Sequence, residues 1–212
     1  MKLKNPLKLP ILLSLLFACL FCSTRGFASE VEKLFKKHCA SCHGENAEGA
    51  KASALRKEGL LITAEADFFI KSIKFGRPLS GCPSFDDKLS KAQIESLAKY
   101  IKGWQKGKLI EAPSHNVSAK NDSRGKELFA ICGACHGLKI EGAMGPPLLD
   151  PGFLKSASDT MLRRTIMYGR PGTPMKGFLK GEGGFPLSPE DIDSLISYIR
   201  YTQLPKDKDV VK

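Results

Sequence analysis

The chain is poor in histidine, and its methionines are unevenly placed. Among 212 residues there are four histidines and five methionines. Four imidazoles are few for an enzyme built on several catalytic or zinc-ligating histidines. No methionine occurs between Met1 and Met144, so that stretch has no methionine thioether to offer. Long apolar runs are also scarce. The one extended run, Leu9 to Phe21, has 13 residues, short of the roughly 20 that a membrane-spanning helix needs. Long alternating strand patterns are absent, which leaves a helical reading. Acidic residues number 22 against 33 Lys and Arg, for a formal charge of +11. Such an excess favours anionic partners, but does not separate nucleic acid, a membrane surface and an acidic protein. With 42% apolar and 26% charged residues the composition is globular. A wholly disordered or collagen-like chain is excluded.

Cysteine is present in an odd number, seven, so the cysteines cannot all pair within the chain. Two of them stand in the first 28 residues. There, Lys2, Lys4 and Lys8 precede the apolar run, and Gly26-Phe27-Ala28 follows as a small-x-small cleavage site. This is the pattern of a signal peptide with a mature start at Ser29, which implies export to the periplasm. Leu16-Phe17-Ala18-Cys19 also fits a lipobox, in which case Cys19 carries lipid and the protein is membrane-anchored. A third reading is an uncleaved anchor. Residues 1–28 hold Lys2, Lys4, Lys8 and Arg25 and no acid, so their removal leaves 29 basic and 22 acidic residues, a net +7. Five cysteines remain.

Four of these five lie in Cys39-Ala40-Ser41-Cys42-His43 and Cys132-Gly133-Ala134-Cys135-His136, 93 residues apart. The same offset aligns Glu48-Gly49-Ala50 with Glu141-Gly142-Ala143, and Leu55, Gly59 and Leu61 with Leu148, Gly152 and Leu154. It also aligns Phe75-Gly76-Arg77-Pro78 with Tyr168-Gly169-Arg170-Pro171. Past Gly-rich Lys180 to Phe185 the offset becomes 98, and Ile94, Leu97 and Ile101 align with Ile192, Leu195 and Ile199. The chain is therefore two copies of one unit of about 80 residues.

Each copy reads as about three short helices with long loops. One amphipathic helix leads into each CXXCH, over Val31 to His38 and Gly125 to Ile131. A second is expected after Thr63 or Ser156 as N-cap, carrying Phe68, Phe69 and Ile73, or Met161, Leu162 and Ile166. The third follows Ser90 or Ser188, with Pro189 at its first position. Residues 107–122 read as a linker and 206–212 as a charged tail. A unit this small has a thin core and needs a staple.

The CXXCH pair names the staple. Two cysteines three apart project from one face of a helical turn and can reach the two vinyl groups of a porphyrin. The histidine that follows is placed to bind the iron. Zinc binding and thiol redox chemistry compete for a single CXXC. Two copies, each ending in His-Gly in its own repeat, favour haem. The expected attachment residues are Cys39, Cys42, Cys132 and Cys135, with His43 and His136 as iron ligands, for two covalently bound haem c groups.

On these motifs each repeat resembles a class I cytochrome c domain, over nearly all of residues 30–203. The resemblance implies an all-α chain of two tandem domains, 29–106 and 123–205. Gly145-Pro146-Pro147-Leu148 resembles the family loop whose proline carbonyl accepts a hydrogen bond from the iron-binding histidine. That assigns Pro146 to His136, with Ser53 aligned for His43. Tyr168 to Met175 resembles the methionine loop, and Met175 would be the second axial ligand, 39 residues after His136. Met144, Met161 and Met167 compete, but all precede the Gly-Arg-Pro block. In the first repeat the same position, 39 residues after His43, holds Cys82. The candidates there are Cys82 as thiolate, His115, a lysine or an open site, with Cys82 otherwise a plain buried thiol or part of an intermolecular disulfide. A thiolate would set the first haem below the second in potential.

Two functions follow from the resemblance. The first is a single-electron carrier between periplasmic redox partners. Its partner would be an acidic redox protein or a membrane oxidoreductase, steered by Lys33, Lys36, Lys37, Lys176 and Lys180. Nucleic acid is not expected, and a membrane only through Cys19. The second rests on a similarity to thiosulfate dehydrogenases with a His/Cys haem. There Cys82 and Arg77 would serve catalysis, with Arg56 and Lys74 holding an anionic substrate. Arg170 stands at the register of Arg77, which favours a structural role for both, toward a haem propionate.

Overall fold

Val31 and Phe35 stand four apart, so a helix places both on one face, and both are buried. A computed structural model describes residues 30–114 and 116–202. The expected signal segment, Cys19, Cys22, His115 and the 206–212 tail lie outside the described residues. Within them the chain divides into two compact units, one ending at Ser53 and one beginning at Ala54.

The first unit holds α1 (30–38), which carries Val31 and Phe35, and α2 (Ala40–His43). A loop then folds back over the end of α2. The amide of Gly49 donates to the carbonyl of His43 at 2.7 Å, and that of Ala52 to Cys42 at 2.8 Å. Carbonyls that a helix end leaves without partners are thereby satisfied.

The second unit carries α3 (Glu58–Leu61), α4 (Ala66–Phe75), a 3-10 turn (Pro78–Ser80) and α5 (Lys91–Lys102). There follow α6 (Ser123–His136), α7 (Pro151–Ser156), α8 (Asp159–Tyr168) and α9 (Pro189–Tyr201). The described residues are thus helical, with two isolated β-bridges and no strand. Each copy has more helix than the three short segments expected. The additions, α3 and α7, are one or two turns long and too short to show a period in sequence.

The second-helix caps are a correction. α4 starts after Glu65 and α8 after Ser158, whose hydroxyl accepts from the Met161 amide at 2.9 Å. Thr63 and Ser156 are buried and cap nothing. Their hydroxyls donate back four residues, to Gly59 at 2.7 Å and Gly152 at 2.6 Å. A short hydroxyl side chain makes such a back-bond as readily as a cap. The third-helix caps are as expected. Ser90 with Gln93, and Ser188 with Asp191, form complete capping boxes, each hydroxyl contributing about 1 kcal/mol. The helix over Gly125 to Ile131 is longer than expected, spanning Ser123–His136 behind the Asp122 cap.

α4 packs on α5 and on α7, and α9 packs on α6 and α8. One core runs through the unit, from Leu61, Phe68 and Phe69 to Phe153, Met161, Ile192 and Ile196. Charged ties join the copies within it. Arg164 on α8 donates to the Thr63 carbonyl at 2.8 Å and pairs with Glu65 at 2.6 Å. Within the second copy Arg163, 2% exposed, pairs with Asp193, and it reaches the linker carbonyl of Pro113 at 3.1 Å.

Candidate haem sites

The CXXCH turn lies at the end of a helix in both copies because the apolar face before it is buried and the glycine after it stops the helix. Gly44 and Gly137 take φ of 87° and 79°, values costly for any other residue. Beyond them the two loops repeat each other. Gly142 donates to His136 at 2.8 Å and Gly145 to Cys135 at 2.7 Å, as Gly49 and Ala52 do in the first copy.

This loop brings a carbonyl to each imidazole. His43 Nδ1 lies 2.8 Å from the Ser53 carbonyl, and His136 Nδ1 lies 2.9 Å from that of Pro146. With Nδ1 donating, Nε2 keeps its lone pair for a metal. Both contacts match the expectation for Ser53 and Pro146. Burial pushes the His136 pKa down, the Pro146 carbonyl opposes it, and the charge of Arg170 adds to the fall. A neutral imidazole is the ligating form. Gly145 lies so close that a Cβ there would come within 2.9 Å of His136 Cε1 and Nδ1. Burial raises the Cys132 thiol to about 11. Among the described residues, no three His, Cys, Asp or Glu side chains gather as metal ligands.

The loops that carry Cys82 and Met175 are built alike. α4 stops at Gly76 (φ 66°) and α8 at Gly169 (φ 69°). The Arg77 amide then donates to the Cys82 carbonyl at 2.8 Å, and the Arg170 amide to that of Met175 at 2.8 Å. Cys82 returns its own amide to Arg77 at 3.1 Å. Met175 is positioned through Thr173, whose hydroxyl donates to Arg170 at 2.7 Å and accepts from the Met175 amide at 3.2 Å. Cys82 and Met175 are both half-buried. Of the competing methionines, Met161 and Met167 are buried in the core and Met144 is 74% exposed.

Arg77 lies between two rings, 4.9 Å from Phe68 and 5.1 Å from Phe153, and donates to Ser72 at 3.0 Å. Burial lowers its pKa, against the charges of Asp150 and Cys82. Arg170 is pushed down to about 10, by burial and then by the charge of Arg77. Its Nε is buried with no hydrogen-bond partner. An orphaned buried donor beside a second cation fits an acidic group such as a haem propionate. Donor set, available Nε2 atoms and the unpartnered Arg170 Nε together fit haem c, for which Cys39, Cys42 and His43 would hold one group and Cys132, Cys135 and His136 the other.

Other expected site residues have partners elsewhere. Arg56 lies 4.7 Å over the Trp104 ring, and Lys74 pairs with Asp86 at 3.6 Å. Lys33 pairs with Glu30 at 3.8 Å and Lys36 with Glu32 at 2.9 Å, all exposed. The sequence reading missed Asp150. Its carboxylate is fully buried, caps α7 through the amides of Gly152 (2.9 Å) and Phe153 (3.1 Å), and accepts from the Leu79 amide at 2.9 Å. The local signal was Asp-Pro-Gly, a helix start; its contact 71 residues away had none.

Comparison with known proteins agrees with this geometry. The family "Cytochrome C oxidase, cbb3-type, subunit III" matches residues 26–101, and the family "Cytochrome c" matches residues 123–203. The chain is 30% identical over 172 residues to the cbb3-type cytochrome c oxidase subunit CcoP of Rubrivivax gelatinosus, covering 79% of this chain and 52% of that protein. It thus spans about half the length of that relative. It is 35% identical over 86 residues to cytochrome c6 of a Synechococcus species, covering 37% of this chain and 74% of that protein. Among solved structures, a chain of the Kuenenia stuttgartiensis reducing HAO-like protein complex aligns with a TM-score of 0.52 at 20% identity. That alignment covers 82% of this chain and 95% of the other, and shows a shared fold.

Proposed function

Because the chain belongs to the cytochrome c family, as a tandem of two class I domains with two covalently bound haem c groups and an electron-transfer role, we propose that its two haems are held at unequal potentials. The observation that carries this reading is the shared closure of the loops, with Cys82 where the second copy has Met175. Each bound haem supplies one-electron chemistry at its iron. The chain's part is to set the ligands. His43 and His136 offer Nε2 while Ser53 and Pro146 hold Nδ1. Met175 offers a neutral thioether, which favours the reduced state. Cys82 offers a thiolate, whose charge favours the oxidised state and lowers the potential.

The proposed setting is the periplasm, between a donor and an acceptor that are an acidic redox protein or a membrane oxidoreductase. The pattern of residues 1–28 supports export, and relatives described as oxidase subunits support the partner class. No helix among the described residues is long and apolar enough to cross a membrane. The tetrathionate-forming alternative needs Arg77, Arg56 and Lys74 to gather an anionic substrate. Each is instead engaged by a different partner: Phe68 and Phe153, Trp104, and Asp86.

Potentiometric titration followed by low-temperature spin resonance tests the reading. Two separate one-electron steps are expected, and Cys82→Ala should alter the low-spin ferric signal of the lower-potential haem. An unchanged signal rejects thiolate ligation. Thiosulfate and ferricyanide added to the same protein should give no turnover; turnover abolished by Cys82→Ala would install the enzyme instead.

A further inference from the structure

Gly59 and Gly152 hold the same register in the two repeats, and each is pressed against the other repeat. A Cβ built at Gly59 would lie 2.2 Å from the Pro171 carbonyl oxygen and 2.8 Å from the Arg170 carbonyl carbon. One built at Gly152 would lie 2.0 Å from the Gly76 carbonyl oxygen. Real Cβ atoms do not come so close, so both positions require a bare Cα. The targets are neighbours in register, not the same residue: Pro171 follows Arg170, which opens the Met175 loop, and Gly76 precedes Arg77, which opens the Cys82 loop. Each glycine thus meets the start of the other repeat's loop.

A second tie acts on one side only. Leu79 lies inside the Cys82 loop, and its amide donates to Asp150 of the other repeat at 2.9 Å. The Phe153 ring, on the α7 that Asp150 caps, covers the guanidinium of Arg77 at 5.1 Å. The register position of Asp150 in the first repeat is Lys57, which cannot accept such a bond.

We propose that each repeat seats the sulfur-bearing loop of the other, so that Gly152 and Asp150 are positioning residues for the haem of the first repeat and Gly59 is one for the haem of the second. This rests on the reading of Cys82 and Met175 as iron ligands. Interiors packed this closely shift between discrete arrangements rather than deforming smoothly. A change of ligand geometry at one haem therefore reaches the seat of the other. By linkage the effect is mutual: reduction of either haem shifts the potential of the other by the same amount.

The test uses the full dihaem protein with Gly152→Ala, Gly59→Ala and Asp150→Asn, each titrated with haem-resolved spin resonance beside a thermal unfolding curve. Gly152→Ala and Asp150→Asn are expected to move the signal and potential of the first haem, with the thioether-to-iron absorption band of the second unmoved. Gly59→Ala should do the reverse. Perturbation confined to the haem of the mutated repeat, or a lowered melting temperature with both signals unchanged, overturns the proposal. Should the alanine variants fail to fold, Asp150→Asn decides alone, since it keeps the side chain's shape. Cys82→Ala in parallel separates the two readings. If it leaves the first signal unchanged, the ligand assignment fails; if it alters that signal while the crossed pattern is missing, only the seating fails.

Discussion

Arg77 and Cys82 exchange two backbone hydrogen bonds, at 2.8 and 3.1 Å, and so close a loop that offers a sulfur at a defined place. Arg170 and Met175 close the equivalent loop with one bond of 2.8 Å and the help of Thr173. Because the frames match, exchanging the sulfur residue changes the donor more than the fold.

Cys82→Met should therefore raise the potential of the first haem toward that of the second, because the proposed thiolate donor gives way to a neutral thioether. Potentiometric titration checks this. The two steps should draw together, and steps as far apart as in the parent would show that Cys82 does not set the difference.

Gly145→Ala places a methyl group within 2.9 Å of the His136 ring. The imidazole has to turn or the loop has to lift from it. The spectrum of the second haem should change while that of the first stays as it was, as read by absorption and spin resonance of the reduced and oxidised protein.

Acid stability should depend on Asp122. Its carboxylate caps α6 by accepting from Gly125 at 2.9 Å, and that bond, ahead of the Lys120 charge, holds its pKa below the ordinary carboxylate value. A carboxyl group with a depressed folded pKa stabilises the fold above its unfolded pKa. The contribution is lost as pH falls through the folded one. Asp122→Asn should flatten the acid side of a stability-against-pH curve from chemical denaturation and leave its neutral-to-alkaline shape in place.

Charge reversal at Lys176 and Lys180, which flank the methionine loop, should slow association with an acidic redox partner. The parent rate should fall as salt rises, and the variant's should be nearly flat, because screening removes what the mutation has already removed. Stopped-flow mixing across ionic strengths measures both.

The chemistry of the chain was legible wherever it is local. CXXCH places two sulfurs for attachment and one imidazole for iron within five residues, and a helical turn alone brings them to one face. The 93-residue register made Cys82 and Met175 equivalents, and the capping boxes at Ser90 and Ser188 follow from a serine three residues before Gln93 or Asp191. Even within this range Thr63 and Ser156 misled, since one hydroxyl can cap the helix ahead or bond to the helix behind. Only the tertiary structure decided which backbone meets which. Nothing near Asp150 points to the amide of Leu79, and nothing near Gly59 or Gly152 marks them as seats for the opposite loops. The Asp150 and Gly152 pairings arise where α4 and α7 pack on each other. Periodicity identifies a buried face, but its partner is chosen by packing among residues far apart in the chain.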